Sequence, residues 1–420
     1  MTYTILHGLM YPFLFLSMYF QIFLLTTFFE NKKKIKHEEK QKSEVYPTVT
    51  IAVPCWNEEK TLSATLDSLL ELDYPTDKLS IVVVDDGSTD KTLAIAKVYE
   101  FKNPNQITVI TKENGGKHTA VNLALANSKS DLFGCLDADS FVAPNALRSI
   151  VYYLNVDATV MAVVPCIHIR SPKTFVQRIQ AIEYLINIFF RKTYGELDAI
   201  QVAPGPFSIF RREVFEKIGV YRKAHNTEDF EITLRMHKAH LKIMNSHKAL
   251  VYTIGPATFK GFFYQRLRWA RGFLENALDY RDLFFKKEYG NFGMFMLPLA
   301  FLFVFYGLYA AAFIIYGIFS QLTTSFTRFM VVGFHPHLPT LDFFYFNTNV
   351  MSFVTMVMFS MFLLALYVGN TLSDDKQEFY KNFAAYFFVY PFFVPLFLGR
   401  AVIDTFFKRR NEWVLQDTKK

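Results

Sequence analysis

Six short runs in this chain carry the residue types that chemistry on a nucleoside diphosphate needs, and they come in one order. They are Pro54-Cys55-Trp56-Asn57-Glu58, Val84-Asp85-Asp86-Gly87-Ser88, Asn114-Gly115-Gly116-Lys117, Asp137-Ala138-Asp139, Thr227-Glu228-Asp229 and Gln265-Arg266-Leu267-Arg268-Trp269. Asp137 and Asp139 stand two apart after an apolar run. Oxygen ligands suit a hard divalent cation, Mg2+ or Mn2+, which neutralises the charge that grows on a diphosphate as a bond to it breaks. A solvated turn is the bland reading of Asp-x-Asp, and its place at a strand end argues against that. Asp86 sits in a turn that Gly87 permits and can accept from the imide N–H of uracil, while Ser88 and Asp90 suit a helix N-cap. Gly115 and Gly116 let backbone approach a phosphate at a helix N-terminus, with Lys117 as a point charge. A plain turn is the alternative there.

Thr227-Glu228-Asp229 opens a helix predicted over 229–238. One reading is a capping box whose first-turn acids complement the helix dipole. The other makes Asp229 a general base: an attacking hydroxyl must lose its proton, and a carboxylate within reach takes it. Gln265, Arg268 and Trp269 are spaced i, i+3 and i+4, so a helix puts them on one face. Arg268 can fork onto a diphosphate, and Trp269 can stack on a sugar ring. A snorkelling arginine and an interfacial tryptophan would explain the pair without chemistry.

The elements that must position these residues alternate. Strands are predicted over 49–53, ending at Pro54, and over 81–84, 107–110 and 132–136. Helices are predicted over 58–72, 91–99 and 117–126. Strand–helix alternation implies an α/β domain with a mostly parallel sheet covered on both faces. Ligands of such sheets bind at the carboxyl ends of strands, and Trp56, Asp86, Lys117 and Asp137 all follow strand ends or nearby turns. Two later segments, 174–192 and 258–281, mix apolar residues with arginines and read as amphipathic helices at a membrane surface. Ordinary core-facing helices are the other reading.

The chain has 420 residues, of which 51% are hydrophobic and 17% aromatic, with 47 Phe. That is too apolar for one soluble enzyme, and the excess lies at both ends. Residues 1–29 carry no Asp, Glu, Lys or Arg, enough for one crossing. With no basic leader and no small-residue cleavage site, a signal anchor is expected rather than a removed signal peptide. Residues 291–327, 343–373 and 382–399 are equally free of those charges. The net charge of +7 does not imply nucleic acid. Its lysines and arginines flank apolar segments, at 32–36 and 408–410, as cytoplasmic membrane borders do. Three C-terminal crossings would carry the 408–410 cluster outside, so one apolar segment is expected to be a hairpin or interfacial, or 326–346 to hold another crossing. Cys55, Cys135 and Cys166 have no metal-ligand spacing and read as reduced thiols.

These motifs together resemble the membrane-embedded inverting family 2 glycosyltransferases with a "D, D, D, QxxRW" pattern: poly-N-acetylglucosamine, cellulose and hyaluronan synthases. The motif resemblance covers about residues 47–285. It implies a GT-A-type, Rossmann-like catalytic domain over 47–255, fused to transmembrane and interfacial helices. The expected layout adds an anchor over 1–30, an interfacial helix over 256–290, a membrane bundle over 291–405 and a basic cytoplasmic tail over 406–420. The resemblance implies donor-binding roles for Trp56, Glu58, Asp86, Lys117, Asp137 and Arg268. It implies acceptor-binding roles for Gly205, Glu228, Gln265 and Trp269, metal ligation by Asp137 and Asp139, and Asp229 as catalytic base. Pro204-Gly205-Pro206 and Phe210-Arg211-Arg212 resemble the segment lining the acceptor end. The family usually has Tyr where this chain has Trp56, and a larger ring still stacks on uracil. The tail leaves no room for a cyclic-dinucleotide-binding domain.

The expected function is elongation of a β-linked polysaccharide from a UDP-sugar, UDP-N-acetylglucosamine or UDP-glucose, at the cytoplasmic face of the cell membrane. Expected partners are the donor, a growing glycan or lipid acceptor, membrane lipids and a small accessory membrane subunit. Single-sugar transfer to a lipid or polyprenyl-phosphate acceptor is the runner-up. A catalytically silent scaffold is a third reading, and the presence of every acid opposes it.

Overall fold

Side chains alternating along the first strands give the sheet two apolar faces. Eight strands form it: β1 (Val49–Cys55), β2 (Leu79–Asp85), β3 (Ile107–Thr111), β4 (Leu132–Cys135), β5 (Ser140–Val142), β6 (Val160–Ile169), β7 (Ile209–Arg211) and β8 (Lys242–Thr253). The helices of the catalytic region are α2 (Leu62–Leu70), α3 (Thr92–Lys102), α4 (Lys117–Ala126), α5 (Ala146–Val156), α6 (Phe175–Glu196), α7 (Arg212–Ile218), α8 (Glu228–Lys238) and α9 (Phe259–Asp279). Before them runs α1 (Thr2–Glu38), and after them α10 (Leu297–Val332), α11 (Val350–Leu372) and α12 (Tyr380–Phe406). This computed structural model describes residues 2–38, 45–333, 350–373 and 380–407.

Ile51 and Val53 of β1 and Ile81 and Val83 of β2 pack with Leu62, Leu66 and Leu69 of α2. Ala52, Val82 and Val84 face the other way, onto Ala120, Val121 and Ala124 of α4. The strand order is β3-β2-β1-β4-β7-β6-β8-β5. β1 pairs in parallel with β2 and β4, β2 with β3, and β6 with β8. β7 runs antiparallel to β4 and β6, and β5 antiparallel to β8. The sheet is therefore mostly parallel with two reversed strands, a departure from the simple alternation read from the sequence. The chain leaves β4 in the middle of the sheet and reappears as β5 at its edge. Asp137-Ala138-Asp139 is the crossing point.

Several boundaries shift from expectation, two of them for local reasons. β1 continues through Pro54, because β4 pairs with it only as far as Ala52. Pro54 thus lies beyond that pairing, where a missing N–H is tolerated. The first catalytic helix begins at Leu62, not 58, because Glu58 O receives both Thr61 N and Leu62 N in a turn.

Among the described residues, four helices are long and apolar enough to cross a membrane: Met10–Ile35, Phe292–Val332, Val350–Leu372 and Asn382–Phe406. The last runs unbroken through Pro391 and Pro395. The basic cluster at 408–410 and the segment 334–349 lie outside the described residues, so the expected tail and any crossing within 334–346 do too. α6 and α9 do not simply present an apolar face to lipid. Ile182, Leu185, Ile186 and Phe189 of α6 pack against Leu24, Leu25 and Phe28 of α1 and Leu366 of α11. Gly369 makes this possible, since a Cβ there would collide with Leu185 O. Leu267 and Leu274 of α9 pack against Val304 of α10 and Phe397 and Ala401 of α12. α6 lies between the sheet and the long apolar helices, and α9 between α8 and those helices, because each has apolar residues on more than one side.

Candidate active site

β1, β2 and β4 end on one rim, and α4 begins there after β3. Trp56 follows β1 and is exposed. Its neighbour Asn57 has φ 56°. Asn57 N donates to Ser88 Oγ at 3.0 Å, and Asn57 Oδ1 accepts from Thr89 N at 2.8 Å. The Trp56 loop is thereby tied to the turn after β2. Asp90 accepts from Thr92 N, the first residue of α3, but the N-cap position is Lys91 without a side-chain cap bond, and Ser88 serves the loop. Asp86 is buried, and its carboxylate accepts from Gly115 N at 3.0 Å, Gly116 N at 2.8 Å and Lys112 Nζ. The two glycine amides expected to face a phosphate face Asp86 instead. Gly116 has φ +88°, which glycine adopts at no steric cost.

Lys117, at the start of α4, pairs with Asp137 and stands 3.8 Å from Glu228 Oε1. A Cβ at Gly205 would lie 2.6 Å from Lys117 Nζ, so the bare glycine backbone gives the ammonium its place. Lys117, Pro204, Gly205, Tyr221, Glu228 and Asp229 line one small cavity. Asp229 comes from the first turn of α8, where the expected capping box is not formed. Thr227 Oγ1 instead donates to Ala224 O at 3.2 Å and accepts from Asn276 Nδ2 at 2.9 Å. Burial pushes the Asp229 carboxyl up to about 6, and the Glu228 charge adds to that. Lys117 and Arg268 pull the other way. An acid with that balance is ionised near neutrality and still basic enough to take a proton.

Asp139 is held at about 7, by burial first and then by the charges of Asp137 and Glu58. Glu58 is likewise raised, by burial first; its bond from Thr61 opposes this and Asp137 reinforces it. The Asp137 charge disfavours ionisation of both Asp139 and Glu58, and the ammonium of Lys117 is the cation already lying on Asp137. The set is all oxygen, which fits a hard divalent ion. Among the described residues no group of three or more His, Cys, Asp or Glu converges as a ready cage. Two carboxylates with open positions suit an ion that keeps water and substrate phosphates as its remaining ligands.

On α9, Arg268 and Trp269 are exposed and Gln265 is half-buried. Arg268 reaches the cavity electrostatically, through Asp229. No hydrogen bond ties Gln265 to the cavity among the described residues, and its Oε1 is buried without a partner. The residue that sequence reasoning missed is Arg266. It is 4% exposed, donates to Glu183 Oε2 of α6 at 2.6 Å, and lies 4.3 Å from the Trp269 ring and 4.8 Å from the Phe262 ring. Cation–π contacts of this kind fix an indole plane. The signal was present: Glu183 and Arg266 are opposed charges on two largely apolar helix faces. Arg211 departs from the acceptor-lining expectation, since its guanidinium staples Val160 O and Leu154 O. Phe210 does line the cavity. The three cysteines are free and buried.

Residues 50–219 match the glycosyl transferase family 2 model. A poly-beta-1,6-N-acetyl-D-glucosamine synthase of Staphylococcus epidermidis is 29% identical over 268 residues, 63% of this chain and 64% of the relative. The chain thus spans just under two thirds of that relative's length. A synthase of the same description from Staphylococcus aureus is 28% identical over 295 residues, 69% of each chain. A mannosyltransferase from Pyrobaculum calidifontis, solved with GDP-Man and Mn2+, superposes with a TM-score of 0.57 at 20% identity, covering 94% of this chain and 100% of that one. That likeness establishes a shared fold.

Proposed function

We propose that this chain, which carries a glycosyl transferase family 2 domain over residues 50–219, is an inverting membrane glycosyltransferase that extends a β-linked glycan from a UDP-sugar. The donor we favour is UDP-N-acetylglucosamine, on the strength of the two staphylococcal relatives. The observation that carries the reading is the cavity where Lys117, Gly205, Glu228 and Asp229 meet Asp137 at the sheet rim.

In this reading Trp56 stacks on the uracil base, Asp86 receives its imide, and Glu58 closes the donor side. Asp137 and Asp139 would hold Mg2+ or Mn2+, which when bound supplies Lewis-acid neutralisation of the diphosphate. Lys117 and Arg268 add fixed positive charge beside the leaving group. Asp229 accepts the acceptor hydroxyl's proton as that oxygen attacks the anomeric carbon. The bond to the diphosphate breaks on the opposite face, which inverts the centre. Gly205, Glu228, Gln265 and Trp269 form the acceptor end. The domain faces the cytoplasm, as the Lys32–Lys36 cluster at the C-terminal end of the first crossing helix favours, and the product passes into the membrane helices.

The test is purified protein in detergent or nanodiscs, offered a panel of UDP-sugars, with products sized by mass spectrometry. Multi-sugar products from UDP-N-acetylglucosamine are expected. One sugar on a lipid acceptor would replace elongation with the single-transfer reading, and an inert sample would end both.

The pH profile is a second expectation. Asp229 must be ionised to accept a proton, so kcat/KM rises with pH through about 6 and levels off above it. Glu228→Gln removes a charge that raises Asp229, so its acid limb moves to lower pH. A flat profile down to about pH 5 would remove Asp229 as the base.

Trp269→Ala is expected to shorten products while leaving UDP-sugar binding near normal, because the indole stacks on the acceptor and not on the nucleotide. Product length per folded, membrane-inserted molecule decides this. Normal length would reduce Trp269 to a membrane anchor.

A further inference from the structure

The loop before the proposed base is built under strain. Ala224, His225 and Asn226 have φ of 43°, 54° and 62°, three successive non-glycine residues in a region that L side chains rarely adopt. Such a run persists only where its surroundings over-determine it. Here the surroundings are one helix, α9, which also carries Arg268 and Trp269. His225 Nδ1 lies 3.1 Å from Glu275 Oε2, and His225 Nε2 lies 2.8 Å from Asp279 Oδ2. Both ring nitrogens face carboxylates. Asn276 Nδ2 reaches Ala224 O at 3.1 Å and Thr227 Oγ1 at 2.9 Å. Gly272 lets Thr227 lie directly on the helix, since a Cβ there would collide with the threonine side chain. Glu275, Asn276 and Asp279 are spaced i, i+1 and i+4, so Glu275 and Asp279 share a face and grip one ring between them.

We propose that His225 is a positioning residue: its two-carboxylate clip on α9 holds the strained 224–227 turn, and so sets where Asp229 stands relative to Arg268 and Trp269. This rests on the reading of Asp229 as base. The clip joins the helix that bears the base to the helix that bears the donor and acceptor clamp, two elements with 20 residues of chain between them. His225 itself does not line the cavity. It lines a separate open groove with Arg222, Lys223, Glu231 and Tyr280, so in this proposal it acts through Asp229 and does not touch substrate.

Three substitutions separate positioning from mere folding. His225→Gly removes the ring and relieves the left-handed residue, because glycine adopts positive φ freely. His225→Ala removes the ring and keeps the strain. His225→Arg restores a fork that can reach both carboxylates. The first readout is hydrogen exchange of the 222–231 backbone in the full-length protein, which needs no turnover. Faster exchange is expected in the Gly and Ala variants and near wild-type exchange in the Arg variant. Unchanged exchange in all three would overturn the clip. The second readout is kinetic: kcat is expected to fall on the order of 10–100-fold in both Gly and Ala variants, the range a small misplacement of a reacting group produces. The KM for UDP-sugar should hold, and thermal stability should be higher in the Gly variant than in the Ala variant. Faster exchange with wild-type kcat would show that the clip exists but positions nothing, and would overturn the proposal. If the wild-type protein turns over no UDP-sugar, the functional reading fails, and the exchange result still judges the clip.

Discussion

Excess chelator is expected to abolish sugar transfer completely, and added Mg2+ or Mn2+ to restore it. In the proposed reaction the leaving group is a diphosphate whose charge grows at the transition state. The fixed cations that the proposal sets beside it are Lys117, which is engaged by Asp137, and Arg268. Two cations, one already paired, leave that charge largely uncompensated. The acids at the crossing from β4 to β5 are arranged for a further cation: Asp139 is held at about 7 by burial and by Asp137 and Glu58, so a divalent ion there would ionise it and bind at once. Asp139→Asn should raise the metal concentration needed for half-maximal rate, and Asp137→Asn should do so while also releasing Lys117. Transfer is measured against free metal concentration in each case. Undiminished transfer in excess chelator would return Asp137 and Asp139 to a purely structural role.

How much of this was legible beforehand depends on how far each feature reaches along the chain. β1 to β4 and α4 were visible because their apolar periods are local, and the rim acids were visible because turns punctuate the strand ends. The second half of the sheet was not. β6 pairs with β8 across two register irregularities, and β7 inserts reversed between β4 and β6, which no local period encodes. Side-chain partners were less legible still. The Gly115 and Gly116 amides are taken by Asp86 from the turn after β2. Thr227 looks like a helix cap in sequence, yet Asn276, some 50 residues on, takes its hydroxyl. Arg266 and Glu183 are each a charge on a largely apolar helix, and their pairing depends on α6 and α9 both packing against α12. The 224–226 turn left no sequence signal except Asn226, a residue that tolerates positive φ.

Asp229→Asn is expected to lower kcat by about 10²–10⁴-fold, the usual contribution of a positioned general base, with UDP-sugar binding near normal. The amide is nearly isosteric with the carboxylate and cannot accept the proton, so the change removes the chemical role with the least disturbance of packing. Asp229 takes a backbone hydrogen bond from Phe230 N, which the amide oxygen can still receive, so α8 should keep its first turn. The neighbouring charges argue for the same separation. Lys117 and Arg268 lower the Asp229 carboxyl while Glu228 and burial raise it; losing one negative charge leaves those cations freer for the diphosphate, and donor affinity should hold or rise slightly. The measurement is paired: UDP-sugar binding by calorimetry or fluorescence, and single-turnover transfer at saturating donor. A variant that loses donor binding but keeps its turnover at saturation would make Asp229 a donor ligand. Loss of both would leave Glu228, 3.8 Å from Lys117, as the carboxylate to test next, and Glu228→Gln in the same assay would then distinguish a displaced base from a collapsed site.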